Sequence, residues 1–289
     1  MAPRYPVGAN RVRLAIESLA ERLGGAEGRL VDLGCGGGDL CVEVARLGMA
    51  ATGVDIAEGM IEQATRAAEG LDPDVRGRLQ YLLGDGLASG LPEGAFDAVV
   101  ALGLIEYLPE DGPLMREAHR LLRPGGVLVV SCRNRLFNLA SLNEYTAGEV
   151  EAGGAGALLE EIAGLGPGGV SPDALEAFAA RLADLGPALR EAMDQDRRAP
   201  KAAATGPRPS FGQQRRQHSP GELAGSAAAA GLTDPGFVGV HPHPLPPAAE
   251  PLSPRFYNRL ARALEPLERE PLALTWSSAF LGIFTRPGG

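Results

Sequence analysis

Two carboxylates and a run of glycines share one short stretch, Val31-Asp32-Leu33-Gly34-Cys35-Gly36-Gly37-Gly38-Asp39. Glycine at Gly34, Gly36 and Gly38 lets the backbone turn sharply and lets a ligand approach the main chain. A helix beginning just after such a loop offers unpaired N–H groups to whatever binds there. The pyrophosphate-binding fingerprint of dinucleotide folds reads G-x-G-x-x-G. Here its last position is Asp39, and Asp32 stands two residues before the first glycine. Carboxylates repel a pyrophosphate and attract an ammonium or sulfonium group. The loop therefore predicts a cationic, nucleotide-like ligand, and S-adenosylmethionine fits that description.

The residues downstream extend the pattern. Ala50-Ala51-Thr52-Gly53-Val54-Asp55 reads as a second buried strand ending in an acid. Asp55 lies about twenty residues past the loop, where an acid accepts ribose hydroxyls in dinucleotide folds. The apolar run 79–83 ends in Gly84-Asp85-Gly86, whose carboxylate can accept from an adenine amine. Phe96 to Leu102 reads as a fourth strand, and 121–131 as a helix end, a turn and a fifth strand. Helices over 39–47, 59–68 and 113–122 lie between them, and that alternation predicts a parallel sheet covered on both faces.

In this order the motifs resemble the class I S-adenosylmethionine-dependent methyltransferases, closely over residues 10–132 and more loosely from Ser219 onward. Within that superfamily the chain looks most like small-molecule methyltransferases of the ubiquinone-biosynthesis type. The resemblance implies a Rossmann-like, doubly wound α/β fold with a seven-stranded sheet. Most strands would be parallel, with the last two forming an antiparallel pair at the sheet edge. It also implies that Gly34 and Gly36 hug the methionine part of the cofactor, Asp55 meets the ribose and Asp85 the adenine amine. Ile56 and Met60 would flank the adenine, and Leu102 would line the cofactor beyond strand four. Asp32, Cys35 and Gly86 complete that set, Cys35 as a small packing residue rather than a chemical one. An arginine ahead of the first strand meets the cofactor carboxylate in such enzymes. Arg13 is the nearest match here and Arg11 the fallback.

Bulk properties limit the function classes. At 289 residues and 45% hydrophobic, the chain can bury a full core plus an insertion. A net charge of −9 argues against a nucleic-acid partner, which needs a basic face. Three cysteines without metal-ligand spacing fit a reducing compartment, and no metal site is expected. No secretory pattern precedes Tyr5 and no apolar run approaches a membrane span, so a cytoplasmic location is expected.

Four segments follow from the pattern: a helical lead-in (1–28), a cofactor-binding core (29–132), a helical cap inserted after strand five (133–217), and a C-terminal completion of the sheet (218–289). In the insertion, 153–154, 166–169 and 202–209 read as loops, and Ser171-Pro172 opens a helix reaching about Arg198. Ser219-Pro220-Gly221-Glu222 reads as a capping box for a helix over 222–230.

Methyl transfer to a neutral hydroxyl or an ammonium group needs a base, whereas a carboxylate acceptor needs none. Candidate bases are His218, at the rim after the insertion, and His241, in the stiff run His241-Pro242-His243-Pro244. His119 reads as a solvated helix residue. Tyr107, where relatives carry histidine, is a third candidate, and a tyrosine there argues against metal-assisted catechol chemistry. Arg135, Tyr145 and His243 are candidates for the acceptor site, since Arg133 and Arg135 can pair with an acidic acceptor. The sequence thus predicts a methyltransferase acting on oxygen or nitrogen of a small-molecule acceptor. The competing readings are a cofactor-using enzyme of the same fold that transfers no methyl group, and a non-catalytic regulatory subunit. A homodimer is compatible with either.

Overall fold

The computed structural model describes residues 5–25, 28–165, 170–198 and 215–288. The loops read at 166–169 and 202–209 lie outside the described residues. Eight strands form one sheet: β1 (Arg29–Leu33), β2 (Ala50–Asp55), β3 (Leu79–Leu83), β4 (Phe96–Leu102), β5 (Leu122–Asn134), β6 (Gln217–His218), β7 (Thr233–Pro242) and β8 (Ser277–Thr285). Seven of them run in the order β3-β2-β1-β4-β5-β8-β7, and β6 pairs with the end of β5.

The centre of the sheet is built from continuous apolar runs rather than alternating ones. Leu30, Val31 and Leu33 of β1, Ala98 to Ala101 of β4 and Val127 to Val130 of β5 are all buried. Strands covered on both faces need that composition, and parallel pairing goes with it. β1 pairs in parallel with β2 (Arg29 opposite Ala50) and with β4 (Leu30 opposite Ala98), and β2 with β3 and β4 with β5 do likewise. β8 runs the other way. Gly125, near the start of β5, donates to Arg286 O, and Arg286 N donates to Gly126 O, just past the end of β8. The seven-stranded expectation omitted β6, whose two residues are too few to show any periodicity.

The chain groups into two compact units. One comprises Gly8–Cys132, Pro220–Phe237 and Leu281–Gly289; the other comprises the described parts of Met1–Val7, Arg133–Ser219 and Val238–Phe280. The first holds the glycine loop and all of β1 to β4. In the second, the helix Pro172–Arg198 packs along the helix Pro254–Ala263. Asp196 accepts from Ser253 Oγ at 2.7 Å and from Arg255 N at 2.9 Å, capping the start of the second helix. Arg181 reaches Glu265 at 2.9 Å. The stretch 218–289 is shared between the two units. Among the described residues no helix is long and apolar enough to cross a membrane.

Candidate functional site

The loop after β1 is held open by backbone hydrogen bonds to β2. Gly34 N and Cys35 N both donate to Val54 O, at 2.8 and 3.1 Å. Gly36 N donates to Asp55 Oδ2 at 2.9 Å, and Ala57 N donates to Asp55 Oδ1 at 2.8 Å. Gly34, Gly36 and Gly38 take φ of 77°, 51° and 82°, the left-handed region that glycine reaches without strain. A Cβ on Gly36 would meet nothing within 4 Å, so that face of the loop is open. A Cβ on Gly53 would lie 2.7 Å from Cys35 Sγ, so the loop packs directly on β2.

Beneath the loop, Asp32 is 3% exposed and its Oδ1 has no hydrogen-bond partner. Its other oxygen meets only the Cys41 thiol, at 3.9 Å. Burial, reinforced by the nearby Asp55 carboxylate, pushes the Asp32 pKa up to about 7. Burial also pushes the Cys35 thiol up to about 12, with Asp32 and Asp55 adding to it. A thiol so placed stays protonated, which suits a packing role and not a nucleophile.

Around the loop, large apolar side chains stand in solvent. Ile56 is 76% exposed and Met60 43%. Asp85 is exposed and its Oδ1 accepts from Leu87 N at 2.8 Å, while Gly86 packs over Leu33 and Leu104. Leu102 ends β4, and Gly103 follows with φ of 83°. A Cβ on Gly103 would lie 3.2 Å from Arg11 Nη1. Arg11 also pairs with the buried Glu106 at 3.5 Å, and its Nε has no partner. Arg13, preferred from the sequence, is exposed and bonded to Asn10 and Glu17 along its own helix. Packing therefore brings Arg11, not Arg13, to the end of β4. Tyr107 follows in a short 3-10 turn and is 53% exposed.

The other unit gathers the remaining candidates into two places. Arg135 and Tyr145 line one cleft of about 530 Å³, together with Glu149, Arg215, Arg216 and Gln217. Arg135 is gripped by an internal carboxylate: its Nε and Nη2 reach Glu149 at 2.9 and 2.8 Å. The expectation that Arg135 waits for an acidic ligand missed this partner, fourteen residues away. His218 is 2% exposed, because β6 lies in register with Arg133 and Asn134, so it is buried and not at an open rim.

His241 and His243 do project together, with ring centroids 4.2 Å apart. His241 takes φ of 58°, stacks on Tyr5 at 4.6 Å and lies 3.2 Å from Ser278 Oγ. His243 Nδ1 lies 2.5 Å from Tyr257 Oη, and that hydroxyl donates to Leu245 O at 2.7 Å. Tyr257 has one proton to give, so His243 carries its own proton on Nδ1 and presents a bare Nε2. That Nε2 is buried and has no hydrogen-bond partner. Burial, with His241 adding, drops the His243 pKa to about 3, so the ring stays neutral and acts as an acceptor. Among the described residues no group of three or more His, Cys, Asp or Glu side chains is arranged to hold a metal ion.

A family model described as a methyltransferase domain matches residues 31–130, which span the loop, Asp55, Asp85 and β4. That match covers about a third of the chain and runs from within β1 through β4. A ubiquinone biosynthesis O-methyltransferase of Xanthomonas oryzae pv. oryzae is 37% identical over 150 residues, covering 50% of this chain and 61% of that protein. One from Caulobacter vibrioides is 40% identical over 121 residues, covering 41% of this chain and 46% of that protein. The chain thus spans about half to three-fifths of the curated relatives it matches. Among solved structures, an S-adenosylmethionine-dependent methyltransferase from Mesorhizobium loti aligns with a TM-score of 0.53 at 16% identity, covering 97% of this chain and 100% of that one. The [4+2]-cyclase SpnF aligns with a TM-score of 0.52 at 18% identity, covering 96% and 82%. At such identities the likeness is one of fold.

Within residues 31–130, sequence reasoning missed Tyr81 as a support of the loop. A Cβ on Gly38 would lie 2.5 Å from the Tyr81 hydroxyl, so the ring occupies the space that this glycine vacates. The alternation of β3 carries no sign of this, since it shows only which face Tyr81 is on.

Proposed function

We propose that this chain is an S-adenosylmethionine-dependent methyltransferase that moves the methyl group, by in-line displacement, to oxygen or nitrogen of a small-molecule acceptor. One observation carries the reading: Asp55 fixes the Gly36 amide while the face of Gly36 stays open above the buried, half-satisfied Asp32 carboxyl. A cationic ligand fits that arrangement, because two carboxyl groups stand at the loop and one oxygen of Asp32 lacks a partner. The exposed Ile56 and Met60 supply apolar cover of the kind an adenine ring needs. The charge pattern does not fit a pyrophosphate.

When bound, the cofactor supplies an electrophilic methyl carbon attached to sulfur. The residues of this chain then bind and orient. Gly34 and Gly36 bring backbone close to the methionine part, Asp55 accepts at the ribose, Asp85 accepts at the adenine amine, and Leu102 borders the cofactor. Arg11 takes the cofactor carboxylate in place of Arg13. Holding acceptor, methyl carbon and sulfur in line supplies roughly 7–11 kcal/mol at best, so positioning does most of what the protein has to do. His243, neutral with a bare Nε2, is suited to accept a hydrogen bond from an acceptor hydroxyl. His241 and Tyr107 remain the candidates for removing a proton. The named activity of the relatives from Xanthomonas and Caulobacter favours oxygen over nitrogen. On this reading the protein works in the cytoplasm on a small molecule, without nucleic acid.

Calorimetry of the purified protein with S-adenosylmethionine, S-adenosylhomocysteine and NAD tests the first step. The two sulfur compounds should give saturable heat and NAD none; the reverse sinks the proposal. Mass spectrometry of a metabolite mixture incubated with the protein and methyl-labelled cofactor then separates methyl transfer from other chemistry on the same fold.

A further inference from the structure

The two carboxyl groups of the glycine loop are held in different ways. Asp55 accepts backbone N–H groups on both oxygens, from Gly36 at 2.9 Å and from Ala57 at 2.8 Å. Asp32 is buried, its Oδ1 has no hydrogen-bond partner, and its Oδ2 meets only the Cys41 thiol. Of the two, Asp32 is thus the one that can hold a proton without giving up a hydrogen bond. Its surroundings offer no compensating charge among the described residues. Across the sheet it lies opposite Gly53 of β2 and Val100 of β4, neither of which titrates. From the loop, the next helix and β3 come Cys35, Cys41 and Tyr81, each pushed upward by burial and so uncharged near neutrality. Asp39, which opens the helix Asp39–Arg46, is a further acid. The charge that reaches Asp32 is that of Asp55, and together with burial it favours the protonated carboxyl. Asp55 touches the loop through Gly36 N, yet its charge is felt at Asp32. A charge of opposite sign held at the loop acts on Asp32 in the opposite sense.

We propose that Asp32 is a proton-coupled charge sensor: neutral in the cofactor-free chain, it gives its proton to solvent when a positively charged group of the cofactor settles on the loop. The inference rests on the cofactor reading given above and adds how the site tells one charge state of the cofactor from another. The exchange keeps buried charge balanced. Without a cation the carboxyl is spared ionisation in an apolar setting, and with one it supplies the counter-charge. S-adenosylmethionine carries two positive groups, the α-ammonium and the sulfonium. S-adenosylhomocysteine keeps the ammonium alone, and 5′-methylthioadenosine has neither. If the sulfonium is the group sensed, methyl transfer removes its charge, the carboxyl takes a proton back, and the product is held less tightly than the donor.

The test is calorimetry of the full chain at pH 6 in two buffers of different ionisation heat, which together count the protons released on binding. The three compounds are titrated into wild type and into D32N. S-adenosylmethionine should release roughly 0.8 proton or more from wild type and far less from D32N. Its affinity for wild type should rise about tenfold from pH 5 to pH 6, and that rise should be absent in D32N. 5′-Methylthioadenosine should bind without releasing a proton. Release by S-adenosylhomocysteine equal to that of the donor assigns the effect to the ammonium, and no release assigns it to the sulfonium. Donor binding without proton release from wild type overturns the proposal and leaves the cofactor reading standing. Equal release from D32N and wild type overturns it too, as does equal release by 5′-methylthioadenosine and the donor. If D32N fails to fold, a flat affinity of wild type from pH 5 to pH 6 is enough to overturn it. Absence of binding by both S-adenosyl compounds removes the cofactor reading and the sensor with it.

Discussion

The backbone N–H of Gly36 donates to Asp55 Oδ2 at 2.9 Å, so the carboxylate that closes β2 also shapes the loop that closes β1. Its other oxygen accepts from Ala57 N at 2.8 Å and starts the next helix. Asp55→Ala leaves both amides without their acceptor, which should cost about 1–3 kcal/mol of stability. It should also lower affinity for S-adenosylhomocysteine at least tenfold. Urea denaturation and calorimetry on one sample measure both. Unchanged affinity would mean that the loop keeps its shape unaided.

Asp32 should make the stability of the cofactor-free protein fall with rising pH. Burial and Asp55 raise its pKa from 3.8 to about 7, so the folded chain keeps a proton that the unfolded chain has released. Between about pH 4 and 7 the unfolding free energy therefore declines as pH rises, and above that window the loss is complete. Asp32→Asn cannot ionise and should remove this slope. Its advantage over wild type should grow from pH 5 to pH 8, to roughly a few kcal/mol. Parallel denaturation series at those pH values check it, and equal slopes would refute it. A bound cation should favour the ionised carboxyl, so affinity for S-adenosylmethionine should rise over the same window.

His243 should act in the opposite direction in acid. Its pKa is held near 3 by burial and by His241, so the unfolded chain takes up a proton near pH 6.5 that the folded chain refuses. Stability from this residue is present above about pH 6.5 and is lost as pH falls toward 3. His243→Gln should flatten that acid limb and move the circular-dichroism midpoint for acid unfolding to lower pH. An unmoved midpoint would show that the ring is solvated.

Asp196 accepts from Ser253, Arg255 N and the Arg255 side chain, and so joins two long helices at one point. Asp196→Ala should cost about 2–3 kcal/mol, because it removes a helix cap and charge-assisted hydrogen bonds together. Hydrogen exchange over 254–263 should accelerate along with the drop in denaturant midpoint. Asp196→Asn, which keeps an acceptor oxygen, should recover part of the loss.

What could be read from the sequence was whatever repeats locally. Asp32 to Gly38 announces its loop because each glycine's backbone freedom is a property of that residue alone. The apolar runs of β1, β4 and β5 announce buried strands for a similar reason. Arg11 and Arg13 show where such reading stops. Two residues apart on a helix, they point about 200° from each other, and only packing decides which one reaches Gly103. Glu149 was invisible as the partner of Arg135 because nothing in the spacing ties a strand end to a helix fourteen residues on. β6 is too short to carry a pattern, so the burial of His218 and the gathering of arginines around it needed coordinates.

β8 lies between β5 and β7 yet is the last strand in the chain. On the ribosome, β5 and β7 are both synthesised before the segment that will separate them. Until it emerges, the β5 edge that β8 will cover is without its permanent neighbour, and such edges invite pairing with other chains. Completion of the sheet thus waits on β8, and chaperone demand should peak just before that strand emerges.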